Sequence, residues 1–588
     1  MMALMAASAA QALNAATAAV MPHLMLAPIV LPLLTAALML LMGENRQRAK
    51  LTLNLTSTLL GLGLALALLA WADQRASASA MDVYLAGNWP APYGIVLALD
   101  RLSAMMLVLT STIALASAVF SAARWHRAGV HFHPLFQLQL MGLAGAFLTA
   151  DLFNLFVFFE IMLAASYGLL LHGSGRARVR AGLHFIAINL AASSLFLIGA
   201  SMLYGMTGTL NMADLALAIP RVADTDRGLL HAAAGILATA FLIKAAIWPL
   251  NFWLVPAYSA ATAPVGALFA IMTKVGIYAL LRLWLLLFDA DAGASAQFGS
   301  LWLVGGGMVT MAFGAIGMLG SQRLGYLAGY AAIVSSGTLL AAAGFGQHRL
   351  TAGLLYYLPG STLAISALFL LTDLMDRWRN DGASLAPHDD DDAPFLTPDL
   401  VPAERLDLDD DQELLPGRVI PAAVALLGLA FIACTLVIAG LPPLPGFVGK
   451  FAMLTALLNP LGLGLPASQP PGAAGWMLAA LLIATGLLAL IALTRAGILH
   501  FWATYDRAAL QLRLLEGLPI AGLLGACVVL TLQAGPVMRY MQATADALHS
   551  PGLYVRAVMS ARPVPGPAAQ LPGARPPAAQ APSAGEAP

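Results

Sequence analysis

Charged side chains are scarce in this sequence. Asp, Glu, Lys and Arg make up 10% of its 588 residues, whereas 60% are hydrophobic. A soluble domain carries about 25% charged residues, so the composition excludes a soluble globular protein and indicates a polytopic membrane protein. The formal net charge is zero and no basic block occurs, which argues against nucleic acid as a partner.

Cysteine is also rare. The two cysteines, Cys434 and Cys527, both lie in apolar segments. Two thiols cannot hold an iron–sulfur cluster, which takes about four, and we expect both to be packing residues. No glycine-rich nucleotide loop, clustered histidine ligands or nucleophile motif stands out. The sequence therefore predicts no cofactor and no metal site, and favours a transporter over an enzyme.

Lysine is the rarest of the basic side chains, with four lysines against 25 arginines. Lys50 follows the first apolar segment and is interpreted as an ordinary loop charge. The other three, Lys244, Lys274 and Lys450, lie inside long apolar stretches. Arginine stays protonated in proteins, whereas a buried lysine can release its proton near neutral pH. Ionisable groups in membrane segments mark a functional path by default, so this pattern predicts proton movement.

Among the six glutamates, Glu160 alone lies within a long apolar run. It is either a proton carrier or a lone acid that is protonated or hydrogen-bonded to a neighbouring helix. Lys244 is either a relay group or a structural counter-charge, and a pair with Glu160 satisfies both interpretations. Asp151 and Asp100 each precede an apolar run, where helix capping and a functional role are equally compatible with the sequence.

Fourteen apolar runs are long enough to span a membrane, which takes about 20 residues. They lie near residues 24–43, 51–71, 102–121, 134–150, 152–171, 182–206, 229–259, 262–288, 300–319, 324–346, 351–372, 419–458, 475–494 and 517–538.

The seventh and twelfth runs contain helix-breaking residues. These are Pro249 and Pro256 in the seventh, and Pro442, Pro443 and Pro445 in the twelfth. Proline removes a backbone donor, and the freed backbone is tolerated at membrane depth only inside protein or beside a wet cavity. Paired interrupted helices point to the transport path of a transporter. Here the two interrupted runs are the ones that hold Lys244 and Lys450.

Basic residues follow the odd-numbered runs, so the positive-inside rule places those connections in the cytoplasm and both termini outside. We expect residues 1–23 to be an N-terminal extension and residues 561–588 a disordered Pro/Ala-rich tail. Residues 373–418, with aspartate runs at 389–392 and 409–411, are expected to form an acidic, solvated cytoplasmic loop.

Four segments, in order, resemble the antiporter-like subunits shared by respiratory complex I and the Mrp/Pha-type multisubunit monovalent cation/proton antiporters. They are DLFNLFVFFEIMLAASYGLL around Glu160, FLIKAAIWPLNFWLVPAY around Lys244, APVGALFAIMTKVGIYALLR around Lys274 and GLPPLPGFVGKF around Lys450. The resemblance covers about residues 100 to 500.

The resemblance implies an all-α polytopic fold of about fourteen helices. Spans one to three would occupy 24–133, two inverted five-helix repeats 134–288 and 300–494, and the fourteenth span 495–560. It also implies a hydrated axis at mid-membrane, with Glu160 and Lys244 as a coupled pair, Lys274 as the middle relay and Lys450 as the distal group.

Two departures distinguish the branches of this family. Asn251 stands where proton-pumping complex I subunits usually carry a histidine, and the tenth and eleventh spans lack the usual basic residues. These departures resemble the D subunit of the Mrp/Pha antiporter. Water and the hydroxyls of Ser335, Ser336, Ser361 or Ser366 are then expected to bridge the gap between Lys274 and Lys450.

The sequence thus predicts a D subunit that exchanges external protons for cytoplasmic Na⁺ or K⁺ across the inner (cytoplasmic) membrane, assembled with other membrane subunits. One alternative is a proton-pumping subunit of complex I (NADH:quinone oxidoreductase) or of a membrane-bound hydrogenase. Another is a non-conducting membrane scaffold, although a scaffold would not retain lysines selectively in interrupted helices.

Overall fold

The computed structural model describes residues 23–74, 81–127, 129–173, 175–383, 422–460, 471–502 and 512–564. The predicted aspartate runs at 389–392 and 409–411 lie outside the described residues, as do nearly all of the predicted N-terminal extension and most of the predicted tail.

The described residues are mostly helical. The first half contains α1 (Ala27–Leu41), α2 (Gln47–Gln74), α3 (Arg101–Ala123), α4 (Phe132–Leu148), α5 (Leu152–Leu170), α6 (Arg176–Thr207), α7 (Met212–Ala218), α8 (Arg227–Lys244), α9 (Leu254–Ala260), α10 (Ala263–Phe269) and α11 (Met272–Leu287). The second half contains α12 (Ser300–Gly320), α13 (Leu324–Gly344), α14 (His348–Ala383), α15 (Ala422–Ala439), α16 (Pro445–Leu458), α17 (Ala473–Gly497), α18 (Leu514–Leu532), α19 (Ala534–Leu548) and α20 (Pro551–Met559).

The helices agree with the predicted spans. Within the described ranges, twelve helical stretches are long and apolar enough to cross a membrane, with α10 and α11 counted together. Two shorter apolar helices, α1 and α16, add to them. Each of the fourteen predicted runs coincides with one or two of the helices, which confirms an all-α polytopic membrane protein. An antiparallel hairpin of β1 (Asp82–Leu85) and β2 (Val96–Leu99), which pairs Asp82 with Leu99, lies between α2 and α3.

The centre of the bundle consists of three helical stretches. A window of 18 residues in the combined α10–α11 stretch, and another in α14, is completely buried, and the corresponding window of α13 is 89% buried. By contrast only 28% of the corresponding window is buried in α2 and in α18. Side chains on α11 and α13 therefore lie in the protein interior, away from any surface that lipid could reach.

The two predicted helix interruptions are present and have the same backbone construction. α8 ends before Ala246, which has φ of 58°, and α15 ends before Gly440, which has φ of 80°. In each case the next amide donates back across five residues, from Ile247 to Leu242 (3.1 Å) and from Leu441 to Leu436 (2.9 Å). This bond and the left-handed residue form a helix-terminating motif that satisfies the last carbonyls.

The prolines differ in what they do at these interruptions. Pro249, Pro442 and Pro443 lie in the non-helical connections, as predicted. Pro256 and Pro445 instead lie in the first turn of α9 and of α16. In the first turn, the backbone N–H that proline lacks would have no acceptor within the helix. These two prolines start the following half-helix and do not break one.

Two expectations about polar segments were wrong. The polar stretch from residue 373 is not all solvated loop, because α14 continues to Ala383. Its Arg377 donates to the carboxylate of Glu516 on α18 (Nη2–Oε1 2.8 Å), and Glu516 is itself buried. Lys50 is not a loop charge either, since it lies buried in the first turn of α2.

Candidate functional site

Lys244 is the last residue of α8, immediately before the first helix interruption. It is buried, and its Nζ lies 5.4 Å from the centre of the Phe159 ring. Among the described residues its ammonium has no hydrogen-bond partner. An aromatic face stabilises a cation only weakly, so this contact alone does little to hold the lysine in its charged form.

Glu160 follows Phe159 on α5 and accepts a hydrogen bond from the Ser193 hydroxyl of α6. It is half-buried, and its charge acts on Lys244. The two side chains form no ion pair within 4 Å in the part of the chain that the structure describes. The predicted partners are thus electrostatic neighbours that do not touch.

Lys274 lies just after an interruption that the sequence did not predict, between the end of α10 at Phe269 and the start of α11 at Met272. Its side chain is completely buried. The Nζ donates to Ser335 Oγ at 2.9 Å and lies 3.5 Å from Ser336 Oγ, both on α13. The cation is thus held by neutral hydroxyls, and no carboxylate in the described ranges is among its hydrogen-bond partners.

The first two lysines are brought together by close backbone packing. Gly276, two residues after Lys274, lies against the end of α8: a Cβ there would be 2.7 Å from the Phe241 carbonyl oxygen and 2.8 Å from the Ala245 nitrogen. A side chain at this position would push α11 away from α8. The glycine therefore allows the helix carrying Lys274 to reach the interruption that follows Lys244.

A chain of hydroxyl groups continues from Lys274 towards α14. Ser335 Oγ lies 3.0 Å from Ser361 Oγ, and the Tyr357 hydroxyl interacts with both serines. Tyr357 in turn packs directly on the backbone of α16 at Gly449, the residue before Lys450. Ser366 differs, because its hydroxyl donates to the carbonyl of Ala267 (2.9 Å) and fixes the end of α10.

Tyr357 was missed by sequence reasoning, which considered only the serines for this gap. Its spacing could have identified it, because Tyr357 lies one helical turn before Ser361 and residues four apart share a helix face.

Lys450 lies in α16, just after the second interruption, and is buried. Its Nζ donates to the carbonyl oxygens of Ala439 (2.8 Å) and Ile438 (3.4 Å), the last residues of α15. Cations are stabilised at the carbonyl end of a helix. Of the three lysines, Lys450 is the one whose charge the protein satisfies best.

The auxiliary residues have different environments. Asp151 caps α5 by accepting the Asn154 amide at 2.8 Å, and burial raises the pKa of this carboxyl above its usual range. Asn251 is buried in the connection between α8 and α9, and within the described ranges its side-chain nitrogen has no partner. An amide nitrogen of this kind at a helix interruption is suited to binding water.

A cavity of about 750 Å³ opens beside the first interruption. Its lining includes Arg180 and His184 of α6, Trp253, Arg323 and Asp376. It lies between α6, α9 and α13, on the side of the membrane that carries the arginine-rich connections. A polar cavity of this size admits water, so it gives solvent a route towards the break between α8 and α9.

One buried ion pair was not predicted from the sequence. Arg282 of α11 binds Asp100 through two short bonds, Nη1–Oδ2 at 2.6 Å and Nη2–Oδ1 at 2.7 Å. Asp100 also caps α3 by accepting a hydrogen bond from the Ser103 amide at 2.9 Å. Helix capping was one of the two roles that the sequence allowed for Asp100. Arg282 could have been found from its spacing, because it lies eight residues after Lys274 on the same helix face.

Comparisons with known proteins agree with this architecture. Residues 149–386 match the family model described as NADH:quinone oxidoreductase/Mrp antiporter, TM. The chain is 52% identical over 543 residues to a probable K(+)/H(+) antiporter D subunit of Rhizobium meliloti (strain 1021), covering 92% of this chain and 98% of the relative.

Two further proteins extend the comparison. A Na(+)/H(+) antiporter D subunit of Alkalihalophilus pseudofirmus is 33% identical over 480 residues, which is 80% of this chain and 87% of that one. A chain in the solved Mrp complex from Dietzia sp. DQ12-45-1b has a TM-score of 0.76 and 25% identity, with coverage of 92% and 99%. The chain therefore belongs to the family of membrane subunits shared by NADH:quinone oxidoreductases and Mrp antiporters, and within that family to the antiporter D subunits.

Proposed function

We propose that this chain conducts protons as the D subunit of a multisubunit antiporter that exchanges H⁺ for Na⁺ or K⁺. The observation that carries the proposal is the placement of three buried lysines at three helix interruptions. Full-length similarity to D subunits described as K(+)/H(+) and Na(+)/H(+) antiporter components supports it. In this role the chain is a transporter subunit and carries out no covalent chemistry.

Glu160, Lys244, Lys274 and Lys450 are the proposed proton carriers. Irregular backbone at membrane depth is tolerated inside protein or beside a wet cavity, and we propose that water reaches each interruption when protons move. Lys244 faces an aromatic ring and Lys274 faces hydroxyls, so among the described residues neither has an anion in contact that would hold its proton. Only a lysine, and not an arginine, could give up a proton in these surroundings.

The proposed route across the second half runs through hydroxyls. Ser335 bonds both Lys274 and Ser361, and the Tyr357 hydroxyl interacts with both serines. The Cα and Cβ of Tyr357 pack against Gly449, so we propose that water completes the route from these hydroxyls to Lys450. Hydroxyl groups both donate and accept, so together with water they can pass a proton where basic residues are missing. Lys450, held by two carbonyls, is proposed as the terminal group of this route.

We propose that the chain lies in the cytoplasmic membrane and packs against further membrane subunits. Large apolar side chains are exposed on the periphery and are suited to lipid or to apolar subunits, among them Leu59 and Leu60 of α2 and Leu518 and Leu532 of α18.

The positive-inside rule gives the proposed orientation, with the arginine-bearing connections in the cytoplasm and both termini outside. A reporter joined at Ala383 should then report cytoplasm, and one joined at Asp289 the outside; the reverse pattern would overturn this orientation.

The test is cation-dependent proton flux by the purified complex in liposomes. Exchange is expected with the wild-type chain in the complete complex and not with the chain alone. Replacement of Lys244 by alanine should abolish exchange in complexes that assemble normally. Exchange by the isolated chain, or wild-type rates with Lys244→Ala, would contradict the proposal.

A further inference from the structure

The cavity of about 750 Å³ beside the first interruption has a net positive lining. Arg180 of α6 and Arg323 at the start of α13 both lie in its wall, together with one carboxylate, that of Asp376 on α14. Among the described residues, neither arginine has a carboxylate within 4 Å. Two guanidinium groups therefore border this space without an ion-pair partner in the part of the chain that the structure describes.

Further groups of the lining are hydrogen-bond donors or hold the arginines in place. The indole N–H of Trp253 can only donate, and it is buried without a partner among the described residues. His184 donates through Nδ1 to the backbone carbonyl of Arg180 at 2.9 Å, and the Arg323 guanidinium lies 5.9 Å from the centre of the Tyr326 ring. Buried donors are normally satisfied, so this lining is suited to a ligand that carries several acceptor oxygens.

Two helices also begin at this cavity. α6 starts at Arg176 and α13 at Leu324, and neither start has a side-chain cap. The lining includes Ala177 and Gly325, each the second residue of its helix. The amides of a first helical turn carry partial positive charge and favour anions, so the backbone adds to the effect of the two arginines.

The walls of the cavity are fixed to one another. Arg178 of α6 donates to the carbonyl of Ala260 at the end of α9, with Nε 3.0 Å from the oxygen. Gly325 lets α13 approach α9 closely, because a Cβ there would lie 3.3 Å from the Cβ of Ser259. The two arginines are thus presented by helices whose relative positions are set before any ligand binds.

The cavity borders an exposed apolar surface. Phe252, one of its lining residues, is 56% exposed. Leu183 lies one turn after Arg180 and is 64% exposed, and Leu190 and Leu197 are exposed as well. These three leucines recur every seven residues, which is about two helical turns, so they form one stripe along α6. This leucine stripe leads from the cavity towards the middle of the membrane.

The simpler interpretation is an entrance that holds only water. Water donates and accepts equally, so an entrance for water needs neither two arginines without a carboxylate in contact nor an unpartnered indole donor. It also needs no apolar stripe at its edge. A free phosphate ion would use the arginines but not the stripe. A ligand with an anionic head and apolar chains uses both.

We propose that this cavity binds the headgroup of an anionic phospholipid. Arg180 and Arg323 bind the phosphate oxygens, as guanidinium groups do in charge-assisted pairs, and the acyl chains lie along the leucine stripe of α6. The Asp376 carboxylate is suited to accept from the hydroxyls of a glycerol headgroup. The inference goes beyond the proposed function and does not depend on proton transport, since binding requires only the folded complex in a membrane.

The experiment uses phosphatidylglycerol with a photoreactive acyl chain, incorporated into vesicles that contain the complete complex. Mass spectrometry measures the label on the peptide of α6 that contains Leu183 and Leu190. The double variant Arg180→Gln, Arg323→Gln should lose about tenfold or more of this label, because a charge-assisted hydrogen bond is worth at least about that factor. Arg180→Lys with Arg323→Lys should retain part of it. Label is expressed per assembled complex, measured by co-purification of the partner subunits.

Arg46→Gln with Arg48→Gln is the matched control. Both arginines are exposed and lie at the connection before α2 on the same side of the membrane, so this variant loses the same charge and should keep the label. Equal labelling by phosphatidylcholine with the same photoreactive chain would overturn the headgroup site, as would full label in the Arg180→Gln, Arg323→Gln variant. Loss of the label in excess inorganic phosphate would show a free-phosphate site. Absence of label from the wild-type peptide would show that a partner subunit covers the stripe. Either result would overturn the proposal. A complex that is labelled as expected but exchanges no cation would refute only the proposed function.

Discussion

Replacing Lys274 by arginine separates a proton carrier from a fixed counter-charge. Arginine keeps the positive charge and can still donate to Ser335, which lies 2.9 Å from the lysine nitrogen. If Lys274 only balances charge, the variant should work. If Lys274 must release its proton, the variant should fail nearly as completely as alanine, because arginine does not deprotonate in proteins.

The expected size of the effect follows from two terms. Arginine has a pKa above about 12, so removing its proton at pH 7 costs about 7 kcal/mol, at roughly 1.4 kcal/mol for each of five pH units. That cost corresponds to a loss of about 10⁵-fold in the neutral form, which would leave no measurable flux. The side chain is also completely buried, and overpacking a core costs about 1–3 kcal/mol, so assembly must be measured separately.

The assay is proton flux in vesicles, or salt-resistant growth, in a strain that lacks the native complex, with assembly checked by blot. Lys50→Arg is the matched control, because Lys50 is also a buried lysine but lies outside the proposed relay. The control should retain flux and Lys274→Arg should not. Full flux by assembled Lys274→Arg complexes would rule out proton release at this position and leave the lysine as a structural charge.

Other predictions follow from the same contacts. Glu160→Gln should abolish exchange while Glu160→Asp keeps part of it, as flux per assembled complex would show; equal activity of the two would contradict a proton-carrying role. Gly440→Ala should lower the unfolding temperature of the complex, because the φ of Gly440 is 80° and a Cβ there would lie 2.5 Å from Lys450 Cδ. The expected cost in folding free energy is about 1–3 kcal/mol. An unchanged melting curve would contradict this backbone requirement for glycine. Burial lowers the pKa of His549 to about 4, below an ordinary value of about 6.5, so its contribution to stability is complete above pH 6.5 and is lost as the pH falls towards 4. Proteolysis around α19 should therefore increase between pH 7.5 and pH 5 in the wild type and less in His549→Gln; equal increases would exclude this histidine as the cause.

The positions of the membrane helices could be predicted from sequence because the cost of burying charge in lipid is a local property. A run of about 20 apolar residues between polar breaks is sufficient to identify a span, and each predicted run coincides with helix in the structure. Proline identified the two interruptions in the same way, since its missing donor affects the backbone at that position.

The interruption before Lys274 could not be predicted in this way. No proline lies between Phe269 and Met272, and the stretch reads as a continuous apolar helix. The break lies where α11 packs against the end of α8 through Gly276, so its surroundings include a segment some thirty residues away. A contact of this kind leaves no local signature in the sequence.

The residues available for proton chemistry could be identified from the sequence alone: one glutamate in an apolar run, and three lysines kept where arginine serves elsewhere. What each of them touches depends on the packing of the helices. That packing places Lys244 over an aromatic ring, Lys274 among hydroxyls and Lys450 on helix-end carbonyls, and it pairs Arg282 with Asp100, 182 residues apart in the chain. Composition reports the cost of burying a charge, whereas the groups that compensate that cost come from other helices and are set only when the helices pack together.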